Sequence, residues 1–256
     1  NRWLMLGGFA KSIFNKIKIA YPQNQETGFF LKKLHTRKIK YYGNLKFIKN
    51  NHERKSKINS VLKKQFKDKK IWVASSTHFN EEIFCAKTHV ELKKKIKNLL
   101  TIIIPRHIHR AKEIAKDVGG LGLKATIHSS RAKKLKNTDI YIVDQFGETN
   151  KFHKLGTSVF FGGSIIKRGG QNPLEAARFG AKIFHGPDVS NFKEIYRLLK
   201  LFKVSKKITT PKQLAYSISF KKNRKSPEKI KNIGKTILKK KIIKIENLIK
   251  NKFKKT

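Results

Sequence analysis

The sequence predicts an α/β fold, a mostly parallel β-sheet covered by helices on both faces. Three observations lead there. Apolar, β-branched runs at 71–75, 99–104, 139–143, 158–161 and 182–184 alternate with helix-periodic segments at 80–98, 107–118, 174–179, 192–202 and 210–220. The links between them are short, as in sheets built from strand–helix–strand units. The run Leu99-Leu100-Thr101-Ile102-Ile103-Ile104 ends at Pro105 and has almost no polar alternation, the pattern of a strand buried on both faces.

Ahead of this rhythm lies a smaller opening segment, 1–47. Phe9, Ile13, Phe14 and Ile17 have helical spacing. Short strands are expected at 19–21 and 39–42, and a helix over 24–35 with Asn24 as its cap. The polar stretch 49–57 reads as a linker. The main domain is expected over 48–220. From 221 to 256 the chain is almost all Lys, Ile and Asn. There Ile230, Ile233, Ile237, Leu238, Ile242, Ile245, Leu248 and Ile249 form a helical stripe opposite a lysine face. Three readings of that tail are open: a terminal helix packed on the body, a membrane-surface helix, and a nucleic-acid arm.

The formal charge is +45, from 61 basic and 16 acidic residues in 256. Lysine far exceeds arginine, and Ile, Asn and Phe are abundant, so chain-wide compositional drift explains much of it. Whatever its origin, such a surface attracts anions and is expected to adhere to anionic membranes. Cys85 is the single cysteine, so an internal disulfide is impossible and a buried thiol is expected. The histidines show no metal spacing, and neither metal nor cofactor is expected. No run of eighteen apolar residues and no signal peptide is visible. The chain begins at Asn1 rather than Met, so it is read as part of a longer protein.

Ligands of parallel sheets bind beyond the carboxyl ends of the strands, where four turns hold the residues of interest. At 162–175, Gly162-Gly163-Ser164 and Gly169-Gly170-Gln171-Asn172-Pro173-Leu174-Glu175 frame a loop. Missing β-carbons would let a ligand approach backbone N–H groups, Asn172 would cap the next helix with Pro173 at its first position, and Glu175 would sit at its third. At 105–110, Arg106 can grip a phosphate with two parallel hydrogen bonds, and His107, His109 and Arg110 open a helix. At 144–148, Phe146 can line a base pocket beside Gly147, and Glu148 can hold a ribose or pyrimidine donor or simply cap a helix. At 75–78, Ser75-Ser76-Thr77-His78 offers hydroxyls and N–H groups. No G-x-S-x-G elbow, P-loop or complete G-x-G-x-x-G fingerprint occurs, which argues against a serine hydrolase, a P-loop enzyme and a dinucleotide-dependent dehydrogenase.

Taken in order, the pieces Trp72-Val73-Ala74-Ser75-Ser76-Thr77-His78 with Glu81-Glu82, Ile104-Pro105-Arg106-His107, Gly147-Glu148, the 162–175 turn, and Gly186-Pro187 with Asn191-Phe192-Lys193-Glu194-Ile195 resemble the 3-deoxy-D-manno-octulosonic acid (Kdo) transferase family. The resemblance implies a GT-B glycosyltransferase of two Rossmann-like domains facing a cleft. Residues 1–47 would then end the N-terminal acceptor-side domain, 48–220 would bind the CMP-sugar, and 221–256 would be a closing basic helix. It implies an inverting transferase moving Kdo from CMP-Kdo onto a lipid A precursor (lipid IVA) for lipopolysaccharide, peripheral on the cytoplasmic face of the inner membrane. Donor contacts are expected from Pro105, Arg106, Phe146, Gly147, Glu148, Gly163, Ser164, Asn172 and Glu175. The family's general base is a glutamate of the N-terminal domain, so no catalytic residue is assigned here and the chain alone is expected to be inactive. Alternatives are another nucleotide-sugar transferase of this architecture and a non-catalytic nucleotide-binding or scaffold fragment. A nucleic-acid partner is not expected, since no RRM, KH or zinc-finger signature occurs. Three departures from the family pattern stand out: Gln171 where histidine is usual, Ala176 where proline is usual, and Asn80 where glycine is usual.

Overall fold

A computed structural model describes residues 2–48, 58–130, 135, 137–223 and 225–253. The linker expected over 49–57 lies outside them. The chain forms two compact units, one of residues 1–50 with 229–256 and one of residues 51–228.

The larger unit holds a seven-stranded, all-parallel sheet in the order β3-β4-β2-β1-β5-β6-β7. Its strands are β1 (Lys70–Thr77), β2 (Leu99–Pro105), β3 (Ala125–Ile127), β4 (Ile140–Ile142), β5 (Ser158–Phe161), β6 (Lys182–His185) and β7 (Ser205–Lys207). The five strands read from apolar runs are all present. The seventh, Ser-Lys-Lys, is an edge strand with two exposed lysines, and its polarity hides it from an apolar search.

The helices of the chain are α1 (Arg2–Met5), α2 (Gly7–Phe14), α3 (Gln25–Lys33), α4 (Ser60–Phe66), α5 (Glu81–Lys93), α6 (Ala111–Gly119), α7 (Thr149–Leu155), α8 (Leu174–Arg178), α9 (Lys193–Leu201), α10 (Pro211–Ser217) and α11 (Ser226–Phe253). Alternation along the strands decides which helix covers which face. Trp72, Ala74, Ile103, Ile140, Ile142, Phe160 and Phe184 share one core cluster with Cys85, Ile114 and Leu214, so α5, α6 and α10 cover that side. Residues one step along point the other way. Phe161 meets the His153 ring of α7 at 5.6 Å, Tyr141 meets Phe66 of α4 at 5.5 Å, and His185 meets Tyr196 of α9 at 4.5 Å.

In the smaller unit, Asn24 caps α3 by accepting the Thr27 N–H at 2.7 Å. The two short strands expected there reduce to one parallel bridge, Ala20 to Ile39. With a single paired residue on each side there is too little ladder to make a sheet. In the tail helix, Ile230 and Ile237 are buried, whereas Leu238, Ile242 and Ile245 are exposed. Gly43 packs against Ile237 and Gly234 against the Phe47 carbonyl. Only part of the stripe is therefore core, and the side chains of Leu248 and Ile249 lie outside the described ones. Trp3, Leu4, Met5, Leu6 and Phe9 are exposed apolar residues on α1, α2 and the residue between them.

Two histidines sit inside the large unit's core. His153 shares a 2.9 Å hydrogen bond with Ser75 Oγ, and burial pulls its pKa down to about 4. His89 shares one of 2.8 Å with Thr101 Oγ1, and burial holds it at about 4 although Asp139 Oδ1, 3.5 Å away, pulls the other way. Both are neutral in the folded protein, while the unfolded chain protonates them below about 6.5. Their contribution is complete above that pH and is lost as pH falls toward 4. Each contributes on the order of 3 kcal/mol across that window. Urea unfolding measured at steps from pH 7 to pH 4 should show stability falling throughout. His153→Gln, although less stable at pH 7, should show a shallower slope.

Candidate functional site

Strand order reverses at β1: β2 lies on one side of it and β5 on the other. A crevice opens at such a switch point, where the loops leaving the two neighbouring strands turn in opposite directions. The loops bordering it are 78–80 after β1 and 162–172 after β5, with the turn after β2 alongside.

One side chain joins the first two. Glu81, fully buried at the first position of α5, spreads its carboxylate under the β5 loop. Oε2 accepts the N–H of Gly163 at 2.6 Å and of His78 at 3.1 Å, and Oε1 accepts those of Ser164 at 3.1 Å and Ile165 at 2.9 Å. Four backbone donors on two loops are thereby satisfied by one anion, and a carboxylate at a helix N-terminus is also favoured by the helix dipole. This changes the reading of the glycine loop. Its N–H groups at 163–165 face the protein's own carboxylate rather than open space. Gly162 is required for a related reason: a β-carbon there would overlap Ser76, Thr77 and the Glu81 carboxylate. Gly163 adopts φ +65°, which favours glycine, and its backbone lies against the His78 ring.

Ser164, expected to meet a ligand, is buried and committed within the loop. Its hydroxyl donates to the Phe161 carbonyl at 2.5 Å and accepts the Gly186 N–H at 2.8 Å. From the far side, Asp188 accepts the Gly169 N–H at 2.7 Å, and the Asn191 amide donates to the Arg168 carbonyl at 3.1 Å. The loop is thus held at both ends before any ligand arrives.

Cations gather around its rim. The Arg106 N–H donates to the Thr77 carbonyl at 2.8 Å, which places Arg106 beside the residue that packs on Gly162. Pro105 itself is buried as the last residue of β2, so it sets the direction of the turn from below the rim. The His78 ring lies 5.7 Å from that of His107, and His107 the same distance from His109. Burial lowers the His78 pKa most, Glu81 opposes this, and His107, Arg168 and Arg106 push it lower still. His78 is therefore held toward its neutral form, first by burial and then by the positive groups around it. Arg110, by contrast, is consumed: it bonds Glu82 at 3.1 Å and Glu113 at 3.0 and 3.2 Å. Among the described residues, Arg106 and Arg168 have no such carboxylate partner. An anion is what this rim lacks.

The other expected residues are arranged differently. Phe146 is 83% exposed on the turn after β4, and Gly147 follows it with a left-handed φ of +80°. Glu148 pairs with Lys151 at 2.6 Å and lines a cavity of about 180 Å³ beside His128 and Phe152. β4 stands three strands from β5, roughly 14 Å at the usual strand spacing. This turn therefore neighbours Arg106 on the adjacent strand β2 but stands apart from the glycine loop, a distance an elongated ligand would have to bridge. Asn172 accepts the Leu174 N–H at 3.1 Å, as an N-cap does, with Pro173 already helical, so its carbonyl oxygen is engaged. Glu175 lies in the first turn of α8, partly buried.

Glu81 and Arg168 were missed as site residues by sequence reasoning. A carboxylate three residues after a Ser-Thr-His strand end, and an arginine between the two glycine pairs, were the available signals. The three departures have structural accounts of unequal weight. Asn80 adopts φ +70°, the left-handed conformation in which asparagine is the best substitute for glycine. Gln171 accepts the Tyr196 hydroxyl through its backbone carbonyl at 3.0 Å, a contact indifferent to its side chain. Ala176 lies in the first turn of α8, where a proline would also be tolerated.

No family model matches the chain. It is 33% identical over 163 residues to the 3-deoxy-D-manno-octulosonic acid transferase of Haemophilus influenzae, covering 63% of this chain and 38% of that protein. It is 31% identical over 197 residues to the Rickettsia bellii transferase of the same name, covering 77% and 47%. The Aquifex aeolicus transferase is 28% identical over 227 residues, covering 87% and 60%. The chain thus spans less than half the length of the first two relatives. Among solved structures, it resembles the C-terminal CMP-Kdo binding domain of WaaA from Acinetobacter baumannii, with a TM-score of 0.58, 20% identity and coverage of 70% of this chain and 94% of that one. It also resembles a glycosyltransferase from Rickettsia africae, with a TM-score of 0.50, 11% identity and coverage of 95% and 68%. With the all-parallel sheet, these likenesses identify an α/β, GT-B-like fold.

Replacing Glu81 should separate its roles. Glu81→Gln swaps one acceptor oxygen for an amide N–H₂ that faces backbone donors, and each buried donor left unpaired costs about 1–3 kcal/mol. Urea unfolding should show a loss on the order of 3 kcal/mol, and hydrogen exchange at 163–165 should accelerate. Unchanged stability and exchange would mean that the carboxylate does not hold the loop.

Proposed function

The chain belongs to the 3-deoxy-D-manno-octulosonic acid transferase family over the stretch it shares with its relatives, and from that premise we propose that it supplies the donor half of such an enzyme. In this reading residues 48–220 bind CMP-Kdo, 1–47 close the acceptor-side domain and 221–256 form a basic closing helix. The observation that carries it is the convergence of Arg106, Arg168 and His78 on a prefixed glycine loop at the switch point of a parallel sheet.

The chemistry assigned to this geometry is a direct displacement. An acceptor hydroxyl on a lipid A precursor (lipid IVA) attacks the anomeric carbon of Kdo, and the bond from that carbon to the phosphate oxygen breaks. The hydroxyl proton goes to a glutamate outside this chain, and CMP departs carrying the electron pair. Charge developing on its phosphate is met by Arg106 and Arg168, fixed dipolar and cationic groups that require little rearrangement during the reaction. In this reading Phe146 and Glu148 meet the nucleoside end of the donor, and Asn172 and Glu175 its sugar side. No metal is invoked, since a single phosphate leaving group can be stabilised by the arginines alone.

In this reading the protein sits peripherally on the cytoplasmic face of the inner membrane, its charge of +45 attracting anionic lipid; no described helix is long and apolar enough to cross a membrane.

Isothermal titration tests the donor assignment. CMP should bind more tightly than UDP, and Arg106→Ala should weaken CMP roughly 10- to 100-fold, since a hydrogen bond to a charged group contributes about 1.5–3 kcal/mol. Tighter UDP binding would transfer the chain to the nucleotide-diphosphate-sugar transferases. Kdo transfer by the isolated 256 residues would show that the general base lies within them.

A further inference from the structure

A cavity in the large unit lies at the opposite end of the sheet from the nucleotide site. It measures about 620 Å³ and is bordered by α4, the start of β1, the residues just before β5 and Phe220. Five lysines line it: Lys63, Lys64, Lys67, Lys69 and Lys70. No acidic side chain does, and none of the five has a carboxylate partner among the described residues. Lys63, Lys64 and Lys67 stand at i, i+1 and i+4 on and just beyond one short helix, where like charges repel. A counter-anion seated among them would relieve that repulsion.

The floor of the cavity is not polar. Phe66 and Ile71 are buried below the lysines, and Leu155 and Phe220 close the sides. A free phosphate would satisfy the lysines and leave these surfaces wet. A molecule with an anionic head and an apolar stem satisfies both.

We propose that this cavity seats one acidic phospholipid of a bilayer, its phosphate among the α4 lysines and its first methylenes against Phe66, Ile71, Leu155 and Phe220. β1 runs from Lys70 at the cavity to Thr77 at the nucleotide rim, about 20 Å at the usual rise per residue. The two sites are far enough apart to be filled together. The site does not depend on the identity of the nucleotide.

Vesicle sedimentation with the 256-residue chain tests this at 0.15 M salt, where exposed charges are screened beyond about 8 Å. Vesicles of phosphatidylcholine with phosphatidylglycerol should bind, and phosphatidylcholine alone should not. Lys63→Glu/Lys64→Glu/Lys67→Glu should lower affinity at least tenfold. Lys112→Glu/Lys116→Glu/Lys124→Glu, an equal charge change at exposed positions elsewhere on the unit, should lower it less than threefold. Equal losses in the two variants would reduce the effect to diffuse charge and overturn the proposal. Soluble dihexanoyl phosphatidylglycerol should compete with vesicles, and inorganic phosphate at the same concentration should not. Equal competition would remove the apolar floor from the site and the lipid with it. Thermal melts by circular dichroism establish that both variants fold, and CMP titration reports on the nucleotide site separately.

Discussion

A buried carboxylate cannot be left bare, and the site rests on how that requirement is met at Glu81. Its two oxygens collect four N–H groups from loops that leave adjacent strands at the point where strand order reverses. Those donors would otherwise point into a crevice with nothing to bond. The loop after β5 therefore has its shape without a ligand. A ligand arriving there need not supply the ordering free energy of a floppy glycine loop, a cost that would be subtracted from its affinity. The negative charge under the loop also partly offsets the positive charge of Arg106 and Arg168 at its rim.

The two ends of the sheet carry different chemistry for the same structural reason. A parallel sheet presents all its strand starts on one edge and all its strand ends on the other. Here the ends are Arg106, His78 and the glycine loop, and the starts are lysines over phenylalanine and leucine. Compositional drift toward lysine supplies positive charge everywhere. Only where a depression with an apolar floor lies beneath does that charge acquire a shape.

Much of this fold was legible because its strands are written in apolar letters. Leu99 to Ile104 could be nothing but a buried strand, and 158–161 coincides with β5 residue for residue. The edge strand Ser205–Lys207 was not legible, since an edge exposed to water needs no apolar side chain. The site was legible at the level of turns and much less so at the level of atoms. Arg106 stood out because a guanidinium after a buried strand has few structural reasons to be there. The commitment of the Ser164 hydroxyl within the loop was not legible, because its partners are carbonyl and amide groups that periodicity cannot locate. Glu81 was overlooked for the converse reason. An acidic residue at the start of a helix already has an ordinary explanation, and only the path of a loop eighty residues later gives it another.

Cys85 lies one turn along α5 from Glu81, fully sealed, with burial and the two neighbouring carboxylates raising its pKa. In the folded state this sulfur is a poor nucleophile and has no path to solvent. A thiol reagent can reach it only in moments when α5 lifts from the sheet, and those are the moments when the carboxylate leaves the loop. The protein thus contains a single internal clock, whose ticking under alkylation counts how often the switch-point crevice comes undone.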